Sequence, residues 1–424
     1  MKLSELKQRI TSGGLDSELI HLYGKDTLDT SKQRYLDVLD QAINAYGDED
    51  GMLFSAPGRT EVGGNHTDHQ QGRVLAASIS LDIISAVIPT VGKLVEYQSG
   101  DFKVKPVDLH DLEIQPSENN TTESLIRGIG AWYHQKGYEI GGFKMYAESR
   151  VLPGSGMSSS AAFETLIGTV MDSLYCRDEV DAVEIAKAGQ YAENVYFGKA
   201  SGLMDQMACS VGGFVTIDFK DKENPIVKKV DYDFEQSGHV LILTDCKQSH
   251  ADLSDEYSRI PNEMKAAAKV MGHEVLSECT MDQLIEHAAE IRNICGDRAF
   301  LRAYHFMNET NRVVTEVNAL NAQKFDEFLE LVKESGRSSY MYLQNVYPPA
   351  DRMHQSLAVG LALSEQLLNG RGAFRVHGGG FAGTIQAFVP NDLSEAYQKR
   401  MESVFGQGCC YVLQIRAEGG IKIA

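Results

Sequence analysis

The chain has 424 residues, 43% of them hydrophobic and 23% charged, which is typical of a globular protein with more than one domain. Its net charge of −19 argues against nucleic acid and anionic membranes as main partners, because both favour surfaces rich in Lys and Arg. The N-terminus lacks a signal-peptide pattern, the most apolar stretch is too short and polar to span a membrane, and the cysteines form no C-x-x-C pair. A reduced, cytoplasmic setting is therefore predicted.

Helical and strand patterns interleave along the chain. Helices are predicted over residues 31–46, 122–137, 160–175 and 181–197 and over most of 282–335. A strand that runs into a loop is predicted at 52–64, and further strands are predicted twice within 74–98 and at 141–151, 212–219, 239–246 and 384–389. Because the order has no strict βαβ rhythm, the prediction is α+β domains. The charged, proline-containing stretch 220–238 is the predicted boundary, which gives domains of 1–236 and 237–424.

The stretch GRTEVGGNHTDHQQG, residues 58–72, places an arginine, two carboxylic acids and two histidines on glycine-rich backbone. It shows no clear strand or helix pattern of its own. Polar side chains on such backbone are typical of a surface that a small ligand approaches closely. A zinc site at His66 and Asp68 is the alternative.

A second glycine-rich stretch, VLPGSGMSSSAAFETL, occupies residues 151–166. Its glycines follow a predicted strand, and its serines come just before a predicted helix. Backbone N–H groups at the start of a helix, with hydroxyls alongside, bind anions, so the stretch predicts a phosphate-binding loop. The alternative is a helix N-cap with redundant serines. It is not a Walker loop, because no G-K-[ST] follows the glycines.

Two later stretches are informative in combination. In AENVYFGKASGLMDQMACSVGG, residues 192–213, Glu193 lies near the end of a predicted helix and Asp205 follows a glycine-containing turn. Taken alone, Asp205 is also explained as a helix N-cap. In FRVHGGGFAGTIQAF, residues 374–388, three consecutive glycines permit close approach of a ligand or of another backbone, or form a tight turn.

APGRTEVGGNHTDH, LPGSGMSSSAA, SGLMDQ and GGGFAG, in this order, resemble the motifs of the GHMP small-molecule kinases, and within them the galactokinase branch. HADLSDEYSRI and RAYHFMNETNRV match as well, so the resemblance runs from about residue 20 to the C-terminus. It implies a two-domain α+β architecture of mixed sheets and helices with the active site between the domains. It also implies a sugar substrate, ATP with Mg²⁺, and a monomer or weak dimer.

The resemblance also implies roles for individual residues. Asp205 would accept the proton of the sugar's anomeric hydroxyl, with Arg59 beside it. Sugar contacts are implied for Asn65, His66, Asp68, Gly202 and Tyr257. Phosphate contacts are implied for Gly154, Ser155, Gly156, Ser158 and Ser159, and Mg²⁺ ligation for Ser160 and Glu193.

The chain departs from the branch's signature inside the first stretch. Glu61, Gly63, Asn65 and His69 stand where the branch has Asn, an aliphatic residue, Glu and Tyr. That Glu accepts a hydrogen bond from the sugar's C6 hydroxyl, so Asn65 bears on the substrate.

Three functions follow as hypotheses: an ATP-dependent galactokinase that forms galactose 1-phosphate, a kinase for a C6-altered galactose such as galacturonate, and a non-catalytic sugar and nucleotide sensor. The intact Arg59, Asp205 and serine loop argue against the sensor.

Overall fold

The computed structural model describes residues 1–151, 156–199, 201–222, 224–247 and 253–424. These residues form two compact units. The first contains Met1–Arg59, Ser78–Gly213 and Arg416–Ala424, and the second contains Thr60–Ala77 and Phe214–Ile415. The division between them falls twice within strands, between residues 59 and 60 and between residues 77 and 78.

The regular elements alternate along the chain. The helices are α1 (Leu3–Thr11), α2 (Asp16–Tyr23), α3 (Leu28–Tyr46), α4 (Thr122–Gln135), α5 (Ser159–Met171), α6 (Ala182–Tyr191), α7 (Met204–Val211), α8 (Ser254–Val270), α9 (Met281–Glu286), α10 (Ala288–Cys295), α11 (Asp297–Asn321), α12 (Phe325–Ser338), α13 (Ser356–Leu368) and α14 (Ser394–Phe405). The strands are β1 (Met52–Gly63), β2 (Arg73–Pro89), β3 (Leu94–Ser99), β4 (Phe102–Lys103), β5 (Val107–Asp108), β6 (Phe143–Ser149), β7 (Phe214–Asp218), β8 (Ile226–Val230), β9 (His239–Asp245), β10 (Ala373–Val376), β11 (Thr384–Pro390), β12 (Cys410–Leu413) and β13 (Ile421–Lys422).

The first unit is built on a mixed sheet with strand order β13-β1-β2-β6-β3, in which only the β3–β6 pair has a parallel register among those determined. Helix α3 covers part of it because Tyr35, Val38, Leu39 and Ala42 recur at helical spacing and are all buried. They pack with Leu53 of β1 and other apolar residues in one core cluster. Apolar burial at these spacings is what holds helix and sheet together.

Strand β2 carries a charged residue inside this sheet. Asp82 of β2 is fully buried and accepts hydrogen bonds from Tyr23 (2.6 Å), Ser55 (2.5 Å) and Arg416 (3.1 Å), and it is also paired with Arg34. Burial raises the pKa of a carboxyl, but the two guanidinium groups outweigh it and keep the pKa of Asp82 below its usual value. The pairing explains how an aspartate is accommodated in an otherwise apolar strand.

The second unit holds an antiparallel sheet with order β10-β11-β9-β12. Its other strands are β7 and β8, and β7 pairs with the first residues of β2, from Arg73↔Asp218 to Ala77↔Phe214. Helices α8 to α11 share a core cluster that includes Ile260, Ala303 and Phe306. Helix α11 matters most for the site, because its buried face carries polar residues as well as apolar ones.

The α+β prediction is confirmed, with mixed sheets and many helices. Two details of the sequence analysis need correction. Strand β1 continues to Gly63, so the first six residues of the stretch 58–72 are extended. The stretch 220–238 contains β8 paired with β7 and lies inside the second compact unit, so the units do not follow the predicted boundary at 236. The reason is strand pairing, because β7 pairs with the first residues of β2, which belong to the second unit, and β8 pairs with β7.

No helix in the described ranges is long and apolar enough for a membrane crossing.

Candidate active site

Residues predicted to handle phosphate and metal meet in the first unit. Helix α5 begins at Ser159, and the preceding Ser158 has a left-handed backbone (φ 58°). We call Arg59, Ser158, Ser160, Glu193 and Asp205 the phosphate-side cluster. Gly154 and Ser155 lie outside the described residues. Gly156 is exposed and its carbonyl accepts a hydrogen bond from Arg59.

The centre of this cluster is a two-pronged ion pair. Arg59 Nε and Nη2 lie 2.7 Å and 2.8 Å from the two carboxylate oxygens of Asp205. The Ser158 hydroxyl also donates to Asp205. Asp205 is the second residue of α7, not its N-cap, and its side chain is 34% exposed. Such a bidentate pair holds both groups in one geometry, while the exposed part of the carboxylate stays open to a ligand.

The pair also sets the charge of Asp205. Burial alone would raise the pKa of this carboxyl, but the charge of Arg59 and the hydrogen bonds from Arg59 and Ser158 outweigh it, so the pKa is below its usual value. Asp205 is therefore ionised over the whole physiological range. It is a ready acceptor of a hydrogen bond and a weak Brønsted base.

Glu193 forms the second half of the cluster. It lies in a π-helical turn, Ala192–Phe197, that continues α6. Its Oε1 accepts from Ser160 Oγ (3.2 Å) and from Lys199 Nζ (2.7 Å), and its Oε2 accepts from Gln206 Nε2 (3.0 Å). Gln206 Nε2 also donates to Glu164 (2.9 Å). Burial and the charge of Glu193 raise the pKa of Glu164 well above its usual value.

These residues fit a magnesium ion carried by a nucleotide. The Ser160 hydroxyl and the Glu193 carboxylate are hard oxygen ligands only 3.2 Å apart. Two further buried oxygens beside them, Glu164 Oε1 and Gln206 Oε1, have no hydrogen-bond partner among the described residues. Uncommitted buried oxygens of this kind favour a cation or its water shell. No group of three His, Cys, Asp or Glu in the described ranges is placed to hold a metal by itself.

In the second unit, side chains of helix α11 form hydrogen bonds with the backbone of the stretch 58–72, which is called the glycine-rich loop from here on. The backbone N–H groups of Gly64 and Asn65 donate to Glu309 Oε1 (3.2 Å and 3.3 Å). His305 Nε2–H donates to the Asn65 carbonyl (2.9 Å), and Ser338 donates to its Nδ1 (2.8 Å). Burial keeps the pKa of His305 low, so its imidazole is neutral. The loop's backbone groups are thus satisfied by buried side chains of α11.

Asn65 lies inside this network. Its side chain is fully buried, with Nδ2 donating to Glu61 Oε1 (2.7 Å) and to the Gly378 carbonyl (2.8 Å). Its Oδ1 accepts from Asn345 Nδ2 (2.9 Å). Arg375, also fully buried, pairs with Glu61 at 3.0 Å. The amide is committed to protein partners, so the structure places Asn65 as a residue that shapes the loop, and its contact with a sugar stays a prediction.

Two departures from the family signature therefore belong together. Where the branch has Asn at position 61 and Glu at 65, this chain has Glu61 and Asn65, and the two side chains are hydrogen-bonded to each other. This chain therefore has a carboxylate in the loop at position 61 instead of position 65. The amide at position 65 therefore does not leave this region without a negative charge, because Glu61 lies beside it.

A third departure has its own partner. A Cβ atom at Gly63 would lie 2.0 Å from Glu316 Oε2, so the aliphatic residue of the family does not fit beside this carboxyl. Glu316 lies on α11, is fully buried, and has no hydrogen-bond partner among the described residues. Burial and the charge of Glu309 raise the pKa of Glu316 to about 8.

The remaining predicted sugar contacts have different surroundings. His66 Nε2–H donates to the Gly379 carbonyl (2.9 Å), and burial and the neighbouring His69 lower the pKa of His66 to about 4, which makes it neutral. The side chain of Asp68 is 36% exposed. Tyr257 donates to the Gly380 carbonyl at 2.8 Å. Within the second unit, the structure thus brings His66 and Tyr257 to the same glycine run, 378–380.

Gly202, by contrast, is exposed in the segment before α7, in the first unit. The described contacts give it no polar partner of its own. Its sugar contact stays a prediction that rests on the resemblance alone.

Two family models match parts of this chain. The galactokinase galactose-binding signature matches residues 43–89, and the GHMP kinases N terminal domain matches residues 124–213. Among solved structures, the chain resembles the galactokinase of Lactococcus lactis complexed with galactose, with a TM-score of 0.73 and 25% identity over 90% of this chain and 98% of that one.

Other similarities are shared folds at lower identity. The mevalonate kinase of Methanococcus jannaschii matches with a TM-score of 0.60 and 15% identity over 86% of this chain and 98% of that one. The phosphomevalonate kinase of Streptococcus pneumoniae matches with a TM-score of 0.58 and 13% identity over 88% and 99%. The chain thus carries a GHMP kinase N-terminal domain and a galactokinase galactose-binding signature.

Sequence analysis missed several residues that the structure brings into these networks. Glu309 and His305 lie in RAYHFMNETNRV, which matched the family but suggested no role. Glu164 is a carboxyl in an otherwise apolar helix, and that contrast was a usable signal. Arg375 and Lys199 had no signal, because a lone basic residue is usually solvated.

Proposed function

We propose that the protein is an ATP-dependent sugar 1-kinase of the galactokinase type, which transfers the γ-phosphoryl group to the anomeric hydroxyl of galactose. The observation that carries the proposal is the bidentate Arg59–Asp205 pair, with Ser158 on the same carboxylate at the start of α5. The galactose-binding signature over residues 43–89 supports the sugar class.

In this reaction Asp205 accepts the hydrogen bond of the attacking hydroxyl and takes its proton as the bond to phosphorus forms. Its lowered pKa makes it a weak base, which suits a loose phosphoryl-transfer transition state that needs little deprotonation at the start. Arg59 fixes the orientation of the carboxylate and offers positive charge where the phosphoryl oxygens gather negative charge.

Magnesium would be held by Ser160 and Glu193, and when bound it neutralises phosphate charge. The N–H groups at the start of α5, next to Ser158 and Ser159, are oriented to bind phosphate oxygens, as helix N-termini do. Gly154 and Ser155 are proposed to join them from the resemblance alone.

The charges of the glycine-rich loop favour a neutral sugar. His66 is neutral, and Glu61 already has Arg375 as its cation. Arg375 also donates to the Val62 carbonyl (2.6 Å) and to the Val376 carbonyl (3.1 Å). A galacturonate carboxylate would therefore find this guanidinium committed. Galactose is accordingly proposed first, and galacturonate remains a substrate to be tested.

A coupled assay over galactose, galacturonate, N-acetylgalactosamine, arabinose and glucose tests the proposal through kcat/KM for each sugar. The expected result is turnover with galactose preferred and a 1-phosphate product identified by phosphorus NMR. The Asp205→Asn variant is the matched blank for contaminating kinases. Binding of sugar and nucleotide without turnover of any sugar would contradict the proposal and favour the sensor.

A further inference from the structure

Glu193, the proposed metal ligand, already carries a cation. Lys199 Nζ lies 2.7 Å from Glu193 Oε1, the same oxygen that accepts the Ser160 hydroxyl. The two partners differ sharply in exposure, since the Glu193 side chain is 3% exposed and that of Lys199 is 57%. The carboxylate is enclosed while its ammonium partner reaches it from solvent. The ammonium is therefore able to leave without unpacking the site.

The backbone directs Lys199 to this place. The π-helical turn Ala192–Phe197 ends at Gly198, whose φ of 86° lies in the left-handed region. The chain reverses there, and the backbone N–H of Lys199 donates to the Glu193 carbonyl at 3.1 Å. A Cβ atom at Gly198 would lie 2.5 Å from Asn119 Oδ1. Both the positive φ and this lack of space favour glycine at the reversal. The turn thus brings Lys199 back to Glu193. Turns of the π-helical type are common at functional sites.

Two cations cannot share this oxygen. A divalent ion bound by Ser160 and Glu193 would meet the ammonium at close range, where like charges repel strongly in a partly dry site. The ammonium must move away when the metal binds. Once displaced, the ammonium reaches solvent, where the phosphate oxygens of a nucleotide are a suitable new partner.

We propose that Lys199 is an exchangeable counter-cation of the Glu193 carboxylate, which competes with free metal and makes metal binding conditional on a nucleotide. The inference rests on the proposed function for the identity of its ligand, a divalent cation carried by a nucleoside triphosphate. Free metal then has to compete with a tethered ammonium, whereas metal that arrives with a polyphosphate supplies the ammonium with a new partner.

The test measures Mn²⁺ binding to the full-length protein, without nucleotide or sugar, from the electron paramagnetic resonance signal of free Mn²⁺. Lys199→Gln removes the competing charge and is expected to bind Mn²⁺ about tenfold more tightly than wild type, which corresponds to about 1.4 kcal/mol. Lys199→Arg keeps the charge and is the matched control, with affinity close to wild type. The gain is expected to vanish when Glu193→Gln is combined with Lys199→Gln.

A second readout is thermal unfolding. Mn²⁺ should raise the Tm of Lys199→Gln more than that of wild type. Equal or weaker Mn²⁺ binding by Lys199→Gln, no binding by either protein, or an equal gain in Lys199→Arg would overturn the proposal. Neither readout uses turnover. Failure of every sugar to be phosphorylated would therefore not contradict the proposed role of Lys199. Failure of the Mn²⁺ experiment would not contradict the proposed kinase activity.

Discussion

The phosphate-side cluster and the glycine-rich loop are both rich in charge, but they use it in opposite ways. In the cluster, Asp205 is partly exposed and two buried oxygens, on Glu164 and Gln206, have no partner among the described residues. In the loop, Asn65 is fully buried and its amide bonds to Glu61, Gly378 and Asn345. A region that receives charged ligands keeps polar groups available, whereas a region that must keep its shape commits them internally.

Helix α11 shows the same contrast within one face. Glu309 and Glu316 are both fully buried and are seven residues, or about two turns, apart. Burial would raise the pKa of Glu309, but the neighbouring guanidinium groups of Arg312 and Arg375 and its hydrogen bonds keep that pKa well below its usual value. The pKa of Glu316, which has no hydrogen-bond partner in the part of the chain that the structure describes, is raised to about 8 by burial and the charge of Glu309. Position in the sequence does not distinguish the two carboxyls, but their partners do.

The largest effect is expected at Asp205, where a substitution should lower activity without a comparable loss of stability. Asp205→Asn keeps the shape, lets Arg59 keep an acceptor, and removes the proton acceptor. We expect kcat to fall on the order of 10² or more, with sugar and ATP affinities largely kept. Steady-state kinetics and calorimetric binding measure this. Asp392→Asn, which changes an exposed carboxylate paired with Arg371, is the control and should leave kcat unchanged. More than about a tenth of wild-type kcat in Asp205→Asn would show that this residue is not the acceptor.

In the loop, a charge change should cost stability first. Asn65→Glu places a second carboxylate beside Glu61 in a buried site, and we expect the free energy of unfolding to fall by about 3 kcal/mol. The double variant Glu61→Asn with Asn65→Glu restores the family's order and should recover at least half of that loss. Urea unfolding followed by circular dichroism measures both. A double variant no more stable than Asn65→Glu would mean that the two positions are not exchanged partners.

The same double variant sharpens the question of substrate. If position 65 contacts C6, its carboxylate should preserve or raise kcat/KM on galactose and lower it on galacturonate by on the order of tenfold, about 1.4 kcal/mol. Equal effects on both sugars would mean that position 65 does not read C6.

A smaller effect is expected where Gly63 faces Glu316. Gly63→Ala introduces a methyl group 2.0 Å from Glu316 Oε2 and should cost roughly 2 kcal/mol of stability. Combined with Glu316→Ala, the substitution should cost much less, because the obstructing carboxyl is gone. A double-mutant cycle measures this coupling. Simple additivity would argue that the carboxyl moves aside at no cost and that the glycine has another reason.

The smallest effect concerns pH. Glu316 has a folded-state pKa of about 8 against a usual 4.5, so the folded state holds a proton that the unfolded state releases. Its contribution to stability is therefore lost as pH rises from about 4.5 to 8. Relative to Glu316→Gln, wild type should lose at least about 1.4 kcal/mol between pH 5.5 and 8, the equivalent of one pKa unit. Glu395→Gln, at an exposed carboxyl, is the control. Parallel pH profiles for wild type and Glu316→Gln would contradict this account.

The sequence by itself located many of the helices and strands and carried the resemblance to the GHMP kinases. Periodicity located α3, α5 and the strands β2, β6 and β11, because a helix or strand repeats its buried side chains at a fixed local interval. The four motifs were recognisable in order, and they singled out Arg59 and Asp205, which the structure joins across 146 residues of chain.

Only the tertiary structure decided which polar groups share partners. The bond from Asn65 to Gly378 spans 313 residues, and the bonds from Glu309 to the loop span about 245. Likewise, β7 pairs with the Arg73–Ala77 end of β2 and β8 pairs with β7, so both strands lie in the second compact unit, which no local pattern near residue 220 reveals. Sequence patterns show only the spacing of buried residues within one helix or strand. The pKa of Glu316, the commitment of Asn65 and the place of Lys199 depend instead on contacts that form only when the chain has folded.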